Sequence, residues 1–453
     1  MRILHYSLGL PPYRTGGLTK YSYDLMRQQQ KQGNRVILLF PGHYNFINHK
    51  VKVSRVDKHN KIEVYEIVNP LPVPLMGGIK HPTEFCKKTD INIYMDFLSK
   101  IYPDIIHIHT LMGLHKEFLE AAKRLKIKTV FTTHDYFGLC PKVNFIDYKG
   151  KVCKDNNNFN KCLLCNSRGY SAKLIFAMQS RLYRKFKDST LVINLRHDKK
   201  EKISNSLINS RKLIKELDKN INANDYSNLR DYYYKMFEMI DCFHFNSSIS
   251  KEVYKSFIRC KGEIVNITHS DIKDHRKLKE YHSGNNINIL YIGPQEFYKG
   301  YFLLKDSLDE LISTGINNFV LNVYGNNINN NSDSGYIRYF GRFNYNQLDE
   351  IFNKADLLVI PSIWKETFGF IGLEAMSYGL PVIATRNVGF KDIIKNGNTG
   401  IIIEPYKEAL VGVLKKVVLN PKILEDINKN IVYSDFNYSM GNHAKQIYSL
   451  YKK

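Results

Sequence analysis

Glu366 and Glu374 stand in residues 361–385, where an apolar run passes through a loop holding Gly369 into a second apolar stretch of helical character. A carboxylate accepts strongly from hydroxyl donors, so Glu366 on the loop suits the hydroxyls of a sugar. Glu374, about two turns further along, suits a ribose diol. Backbone N–H groups at the opening of such a helix, around Gly369, Phe370 and Ile371, form a cradle for an anionic phosphate. As a bare pair, the two glutamates are better explained as solvated charges on a helix face. The surrounding Phe368-Gly369 and the run from Ala375 to Ala384 argue for a built site instead.

Three further groups of residues could do chemistry. Lys299 and Gly300 follow Gly293 and Pro294 at the end of an apolar run, where a lone lysine reads as a solvated surface cation. Gly16 and Gly17 come directly after the first apolar run, where the lack of a Cβ lets backbone approach a ligand closely. Cys140, Cys153, Cys162 and Cys165 end in a Cys-x2-Cys pair and suit a tetrahedral, structural zinc site. A redox disulfide or free thiols remain the rival readings of those four. Cys86, Cys242 and Cys260 read as isolated buried thiols.

The segment 361–385 resembles the Glu-x7-Glu signature of retaining nucleotide-sugar glycosyltransferases of family 4. Ala355-Asp356 through Pro361-Ser362 before it, and Asn396-Gly397 to Gly400 after it, are similar to that family as well. The resemblance implies a GT-B fold, two Rossmann-like lobes facing a cleft, with the donor on the C-terminal lobe. It implies that Lys299 holds the donor diphosphate, although Pro294 stands where the family usually has an arginine. Gly16 and Gly17 resemble the family's N-terminal glycine loop, which faces the donor phosphates. His134, in Thr132-Thr133-His134-Asp135 at a strand end, is implied to border the transferred sugar and to serve a developing oxocarbenium ion. The implied reaction retains anomeric configuration, needs no catalytic metal or other cofactor, and has the leaving diphosphate assist the acceptor.

The elements that must position these residues alternate between strand and helix. Residues 3–7, 36–40, 105–109 and 129–133 read as strands, with helices at 19–32 and 117–125; this alternation predicts a parallel, doubly wound α/β sheet. His107 and His109 alternate on one strand and so face one side, with no role assigned. Residues 140–166 break the pattern as a Cys-rich insertion, and residues 167–231 turn helical and basic. A second Rossmann-like unit follows, with strands at 287–292, 319–324, 337–341, 357–360, 381–385 and 400–403. The expected domains are 1–280, 281–430 and a C-terminal helix in 431–453 that packs back on the first lobe.

A chain of 453 residues exceeds what one core usually organises. No apolar stretch is long enough to span a bilayer, and the short run after Met1 does not read as a signal peptide, so the expectation is a cytoplasmic chain. Of the net charge of +23, about +22 falls before Tyr281, which points to an anionic partner for the front half or merely to a soluble composition. Within the basic stretch, Lys173, Arg181, Arg184, Lys185 and Lys187 interleave with Leu174, Ile175, Phe176, Leu182, Tyr183 and Phe186. Peripheral association with the inner face of an anionic membrane, and with it a lipid-linked or glycan acceptor, fits that pattern; a helix packed on the lobe fits it equally. A nucleotide-sugar epimerase of the same architecture shares the expected donor site. A basic, zinc-containing nucleic-acid binder would need aromatic-basic or Cys/His finger patterns, which the sequence lacks, so nucleic acid is not an expected partner.

Overall fold

The computed structural model describes the chain apart from residues 75–76, 156, 188, 190–217, 219, 283, 326–334 and 453. The basic stretch expected over 167–231 therefore lies partly outside the described residues. The described chain divides into two compact units: Met1–Asn246 with Lys251–Val265 and His443–Lys453, and Asn266–Asn442 with Ser247–Ser250. The division falls after Val265, earlier than the boundary at 280 expected from sequence.

In the first unit the order is β1 (Arg2–Tyr6), α1 (Gly17–Lys31), β2 (Arg35–Pro41), β3 (Lys52–His59), β4 (Ile62–Val68), α2 (Asn92–Ile101), β5 (Ile105–Ile108), α3 (Lys116–Arg124) and β6 (Lys128–Thr132). Then come α4 (Phe159–Asn166), α5 (Ala172–Met178), α6 (Arg181–Phe186), α7 (Ala223–Glu238), β7 (Cys242–Phe245), α8 (Ser248–Phe257) and β8 (Gly262–Ile264). The eight strands lie in the order β3-β4-β2-β1-β5-β6-β7-β8. All pairings are parallel except β3 with β4, an edge hairpin whose turn residues Asn60 and Lys61 both have positive φ. Strands β1 and β5, neighbours in space, mark the place where the chain reverses its direction of travel across the sheet. Crevices at such a switch point are where open α/β sheets hold ligands.

The second unit runs β9 (Ile287–Ile292), α9 (Tyr301–Ser313), β10 (Phe319–Tyr324), β11 (Ile337–Gly341), α10 (Leu348–Lys354), β12 (Leu357–Ile360), α11 (Phe370–Met376), β13 (Val382–Thr385), β14 (Ile401–Ile403), α12 (Lys407–Leu419) and α13 (Lys422–Tyr433). Its six strands are all parallel, in the order β11-β10-β9-β12-β13-β14, with the switch point between β9 and β12. Ile289, Leu321, Leu357 and Ile383 from the sheet bury completely against Leu304, Leu308, Leu410 and Leu414 of α9 and α12. Each such side chain contributes roughly 1.5–3 kcal/mol. The last helix, α14 (Met440–Lys452), belongs to the first unit from His443 onward.

Candidate functional site

Lys299 ends a short 3-10 turn, Phe297–Lys299, just past β9, and Gly300 closes the turn with φ 76°. A Cβ on Gly300 would stand 1.9 Å from the Pro361 carbonyl oxygen, so only glycine lets this turn rest on the end of β12. Backbone N–H groups of Ile363 and Trp364 donate to the Tyr298 carbonyl at 2.9 and 3.2 Å, tying the two loops together. Lys299 is thereby delivered to Glu366: its Nζ donates to Glu366 Oε1 at 2.9 Å and lies 5.1 Å from the centre of the Trp364 ring.

Glu366 is fixed on every side. Its N–H donates to the Asn387 carbonyl at 2.8 Å, and its own carbonyl accepts from Gly389 N–H at 3.0 Å. Ser362 Oγ donates to Glu366 Oε2 at 2.7 Å. Burial drives its carboxyl pKa upward, but the Lys299 ammonium and the hydrogen bonds from Lys299, Ser362 and Trp364 outweigh this and hold it below the ordinary glutamate value. Glu366 is therefore an ionised, pre-aimed hydrogen-bond acceptor near neutral pH. Gly369, at φ 92°, turns the chain into α11, and a Cβ there would lie 2.9 Å from Val388 and 3.8 Å from the Glu366 carboxyl. The structure thus brings Lys299, Glu366 and Gly369 together, with Phe370 and Ile371 opening α11.

Glu374 has different company. It is buried, and its Oε1 accepts from His269 Nε2 at 2.9 Å and from the Tyr345 hydroxyl. His269 and Tyr345 carry no sequence motif of their own and were not foreseen; Ser362 and Trp364 lie within the segment 361–385 but had no role assigned.

In the first unit, Gly16 and Gly17 are exposed at the start of α1, Gly16 with φ 113°. His134 follows β6 and sits beside a cluster that sequence reasoning left without a role. His5, His107 and His244 are fully buried on β1, β5 and β7, and His109 is buried just past β5. His5 pairs with His107 in the strand register and Thr132 with His244, so the topology lines up their side chains at adjacent positions. Burial pulls the pKa of His5 and His244 down to about 4 and that of His134 to about 3, and takes His107 and His109 well below the ordinary value. All five are neutral imidazoles at neutral pH.

Among the described residues, the metal-ligating atoms that gather within 4.8 Å of one another are those of His5, His107 and His109, and not the four cysteines expected to bind zinc. Cys140, Cys153, Cys162 and Cys165 are free and partly exposed. Burial first, then neighbouring thiols, push Cys162 up to about 12; burial does the same to Cys165. Cys86, Cys242 and Cys260 are also partly exposed rather than buried, because each sits at or just beyond the end of an element. Among the described residues, the interleaved stretch 173–187 of the basic segment falls on two short helices, α5 and α6. On α5, Ile175 is buried and Phe176 stacks on Tyr44 at 4.1 Å, whereas Leu182 and Phe186 of α6 are 72% and 55% exposed.

Residues 15–159 match the family model described as Glycosyltransferase Family 4, and residues 273–432 the model described as Glycosyl transferases group 1. The chain is 30% identical to an uncharacterized 41.2 kDa protein in the cps region of Klebsiella pneumoniae over 26% of its own length and 32% of that protein's, so it spans about a third of that relative. It is 26% identical to alpha-monoglucosyldiacylglycerol synthase of Acholeplasma laidlawii over 79% of its length and 77% of the relative's. Among solved structures, the fold is similar to Anabaena HepE in complex with UDP, at TM-score 0.57 and 12% identity over 99% of both chains. It is also similar to WaaG, a glycosyltransferase involved in lipopolysaccharide biosynthesis, at TM-score 0.55 and 15% identity over 99% of both chains. No described helix is long and apolar enough to cross a membrane.

Proposed function

We propose, from the premise that this chain belongs to the family-4 type of glycosyltransferases with the GT-B fold, that it moves a sugar from a nucleotide-diphosphate donor to a glycan or lipid-linked acceptor with retention of configuration. The observation that carries the reading is the Lys299–Glu366 pair at the carboxyl ends of β9 and β12, beside the helix opening at Gly369. A strand-order reversal is where such sheets bind ligands, and this pair offers both things a sugar diphosphate needs. The Lys299 ammonium faces the diphosphate charge; the Glu366 carboxylate accepts from sugar hydroxyls. Glu374 contributes its remaining carboxylate oxygen to the ribose side.

In the reaction, the bond from the anomeric carbon to the diphosphate oxygen breaks and its electron pair leaves with the diphosphate. The acceptor oxygen bonds to the same face of that carbon, and its proton passes to the departing diphosphate. Lys299 stabilises the charge that develops on the leaving group and needs to exchange no proton. The UDP bound by the Anabaena neighbour supports a uridine donor for this chain as well. The exposed Leu182 and Phe186 beside Arg181, Lys185 and Lys187 support peripheral association with an anionic membrane, and so a lipid-linked acceptor. Zinc on the four cysteines is retained as a structural proposal that requires their thiols to close up and ionise.

A thermal-shift panel of UDP, ADP and GDP and their sugars tests the donor. One nucleotide family raises the melting temperature, by the equivalent of ~2.7 kcal/mol at a hundredfold excess over Kd. A panel with no stabilising member contradicts the reading. Turnover of the donor to a new sugar nucleotide without acceptor would identify an epimerase instead.

A further inference from the structure

The loop after β1 and helix α6, both in the first unit, bring cations together around the Tyr13 ring. The Arg14 guanidinium carbon lies 5.3 Å from the ring centre, that of Arg184 4.6 Å and the Lys187 ammonium 5.4 Å. Arg184 is also 5.9 Å from the centre of the Phe40 ring, near the end of β2. Ring faces attract cations by roughly 0.5–1 kcal/mol at exposed sites, but they cancel no charge. The Arg14 N–H donates to the Leu10 carbonyl at 3.1 Å, which closes the loop as a turn and fixes where its side chain starts.

Counter-charge is scarce around these guanidiniums. Glu66 of β4 is buried, and its closest partner is His43 Nδ1 at 3.0 Å. Arg184 Nη1 reaches Glu66 Oε2 only at 3.5 Å and Arg181 Nη2 reaches Oε1 at 3.8 Å. Both are long beside the about 2.7–2.9 Å of a charged hydrogen bond. Among the described residues Arg14 forms no ion pair, and its Nε, like that of Arg184, is sealed from solvent with no hydrogen-bond partner. Burial pulls the Arg14 pKa below the ordinary guanidinium value; Tyr13 opposes this, and the like charge of Arg184 adds to it. A guanidinium stays charged at neutral pH all the same. Each sealed, unmatched donor costs about 1–3 kcal/mol, so two side by side favour an acceptor with several oxygens. Pinning α6 to the sheet accounts for Arg184 and Glu66. It does not account for Arg14, which brings a like charge to that contact and gains no partner from it.

We infer that Arg14 and Arg184, gathered on Tyr13, form a binding site for a phosphate monoester. Such a group carries about two negative charges at neutral pH and several strong acceptor oxygens. Two planar guanidinium forks match both its charge and its oxygens. The inference stands apart from the donor reading, since its residues lie in the first unit and Lys299 in the second. The same chemistry is offered by a free sugar or glycerol phosphate and by a phosphatidic acid headgroup. Leu182 and Phe186, exposed on the same short helix, make the second source as natural as the first.

The test measures binding to the full chain in two arms: calorimetry with glycerol 3-phosphate, and sedimentation with phosphatidylcholine vesicles containing phosphatidic acid. Arg14→Gln and Arg184→Gln each remove one charge and are expected to weaken binding about tenfold or more in at least one arm. Lys100→Gln, an exposed charge on α2 of the same unit, is expected to change it by less than about twofold. Lys299→Met is expected to leave it unchanged as well. Binding of glycerol 3-phosphate that needs Arg14 assigns the site to a free monoester; binding of the vesicles alone that needs Arg14 assigns it to a lipid headgroup. With no phosphate added, Arg14→Gln is expected to melt no lower than the parent chain, because it removes a like charge beside Arg184. Should Arg14→Gln not fold or melt lower, Arg14→Lys keeps the charge, loses the fork, and is expected to bind about threefold or more weaker. Binding in neither arm, binding that the arginine variants leave intact, or binding lost in Lys299→Met overturns the inference.

Discussion

The two units carry their polar chemistry in opposite ways. The first buries a file of imidazoles and keeps them neutral, each satisfied by the next, whereas the second holds an ionised pair, Lys299 and Glu366, between two loops. Burying polar groups without charge demands complete hydrogen bonding, and the histidine file achieves it by running through Thr132, Gln29 and Tyr451. A buried charge demands a counter-charge and fixed donors, which the second unit finds in a lysine and a serine.

Acid should separate the two most strongly. Histidines whose folded pKa is depressed stabilise the fold fully above their unfolded value of 6.5, and that stability is lost as pH falls towards about 4 for His5 and His244 and about 3 for His134. Each histidine held neutral costs about 1.4 kcal/mol per pH unit over that window. Glu366 is also depressed, so its contribution is complete above 4.5 and is lost only below it. Trp364, the single tryptophan, reports on the second unit. Between pH 6.5 and 4.5, hydrogen exchange in peptides from β1 and β5 should accelerate while Trp364 fluorescence stays native. Simultaneous loss of both signals would break the comparison.

Replacing Lys299 by Met should lower donor turnover by about 10²–10³-fold, as expected for a removed charge at a developing anion. The acid-induced exchange of β1 and β5 should be unmoved, which sharpens the distinction between charged and neutral machinery. Gly300→Ala should destabilise the second unit by ~2 kcal/mol or more, measured as an earlier denaturant midpoint of Trp364 fluorescence, because its Cβ meets the Pro361 carbonyl at 1.9 Å. Leu182→Ser with Phe186→Ser should change thermal stability by no more than ~0.5 kcal/mol, since both side chains are exposed, yet reduce sedimentation with phosphatidylglycerol vesicles. Unchanged vesicle binding would remove α6 from any membrane role.

Much of the second unit was legible because β9, β12 and β14 are short, mainly apolar runs, β9 and β10 are each followed by a glycine, and the loop after β12 carries Glu366 and Gly369 in one motif. The partnership of Lys299 with Glu366 was not, since it depends on Gly300 bringing two distant loops into contact. The edge hairpin β3-β4 was missed because the apolar alternation of Val51 and Val53 breaks at Arg55 and the turn, Asn60-Lys61, lacks the glycine that usually signals one. Cysteine spacing suggested a metal centre, but spacing along the chain does not fix where thiols point. The histidines told the reverse story: His107 and His109 were visibly on one face, and only strand order shows that His5, His134 and His244 join them.

Glu366→Gln is the most direct measurement of the central claim, because it keeps the side chain's size and removes only its charge. Nucleotide release from the donor found in the binding panel should fall by about 10²-fold or more while the affinity for the nucleoside diphosphate alone stays within about threefold. Full turnover in a folded Glu366→Gln chain would contradict the assignment of this carboxylate to the sugar.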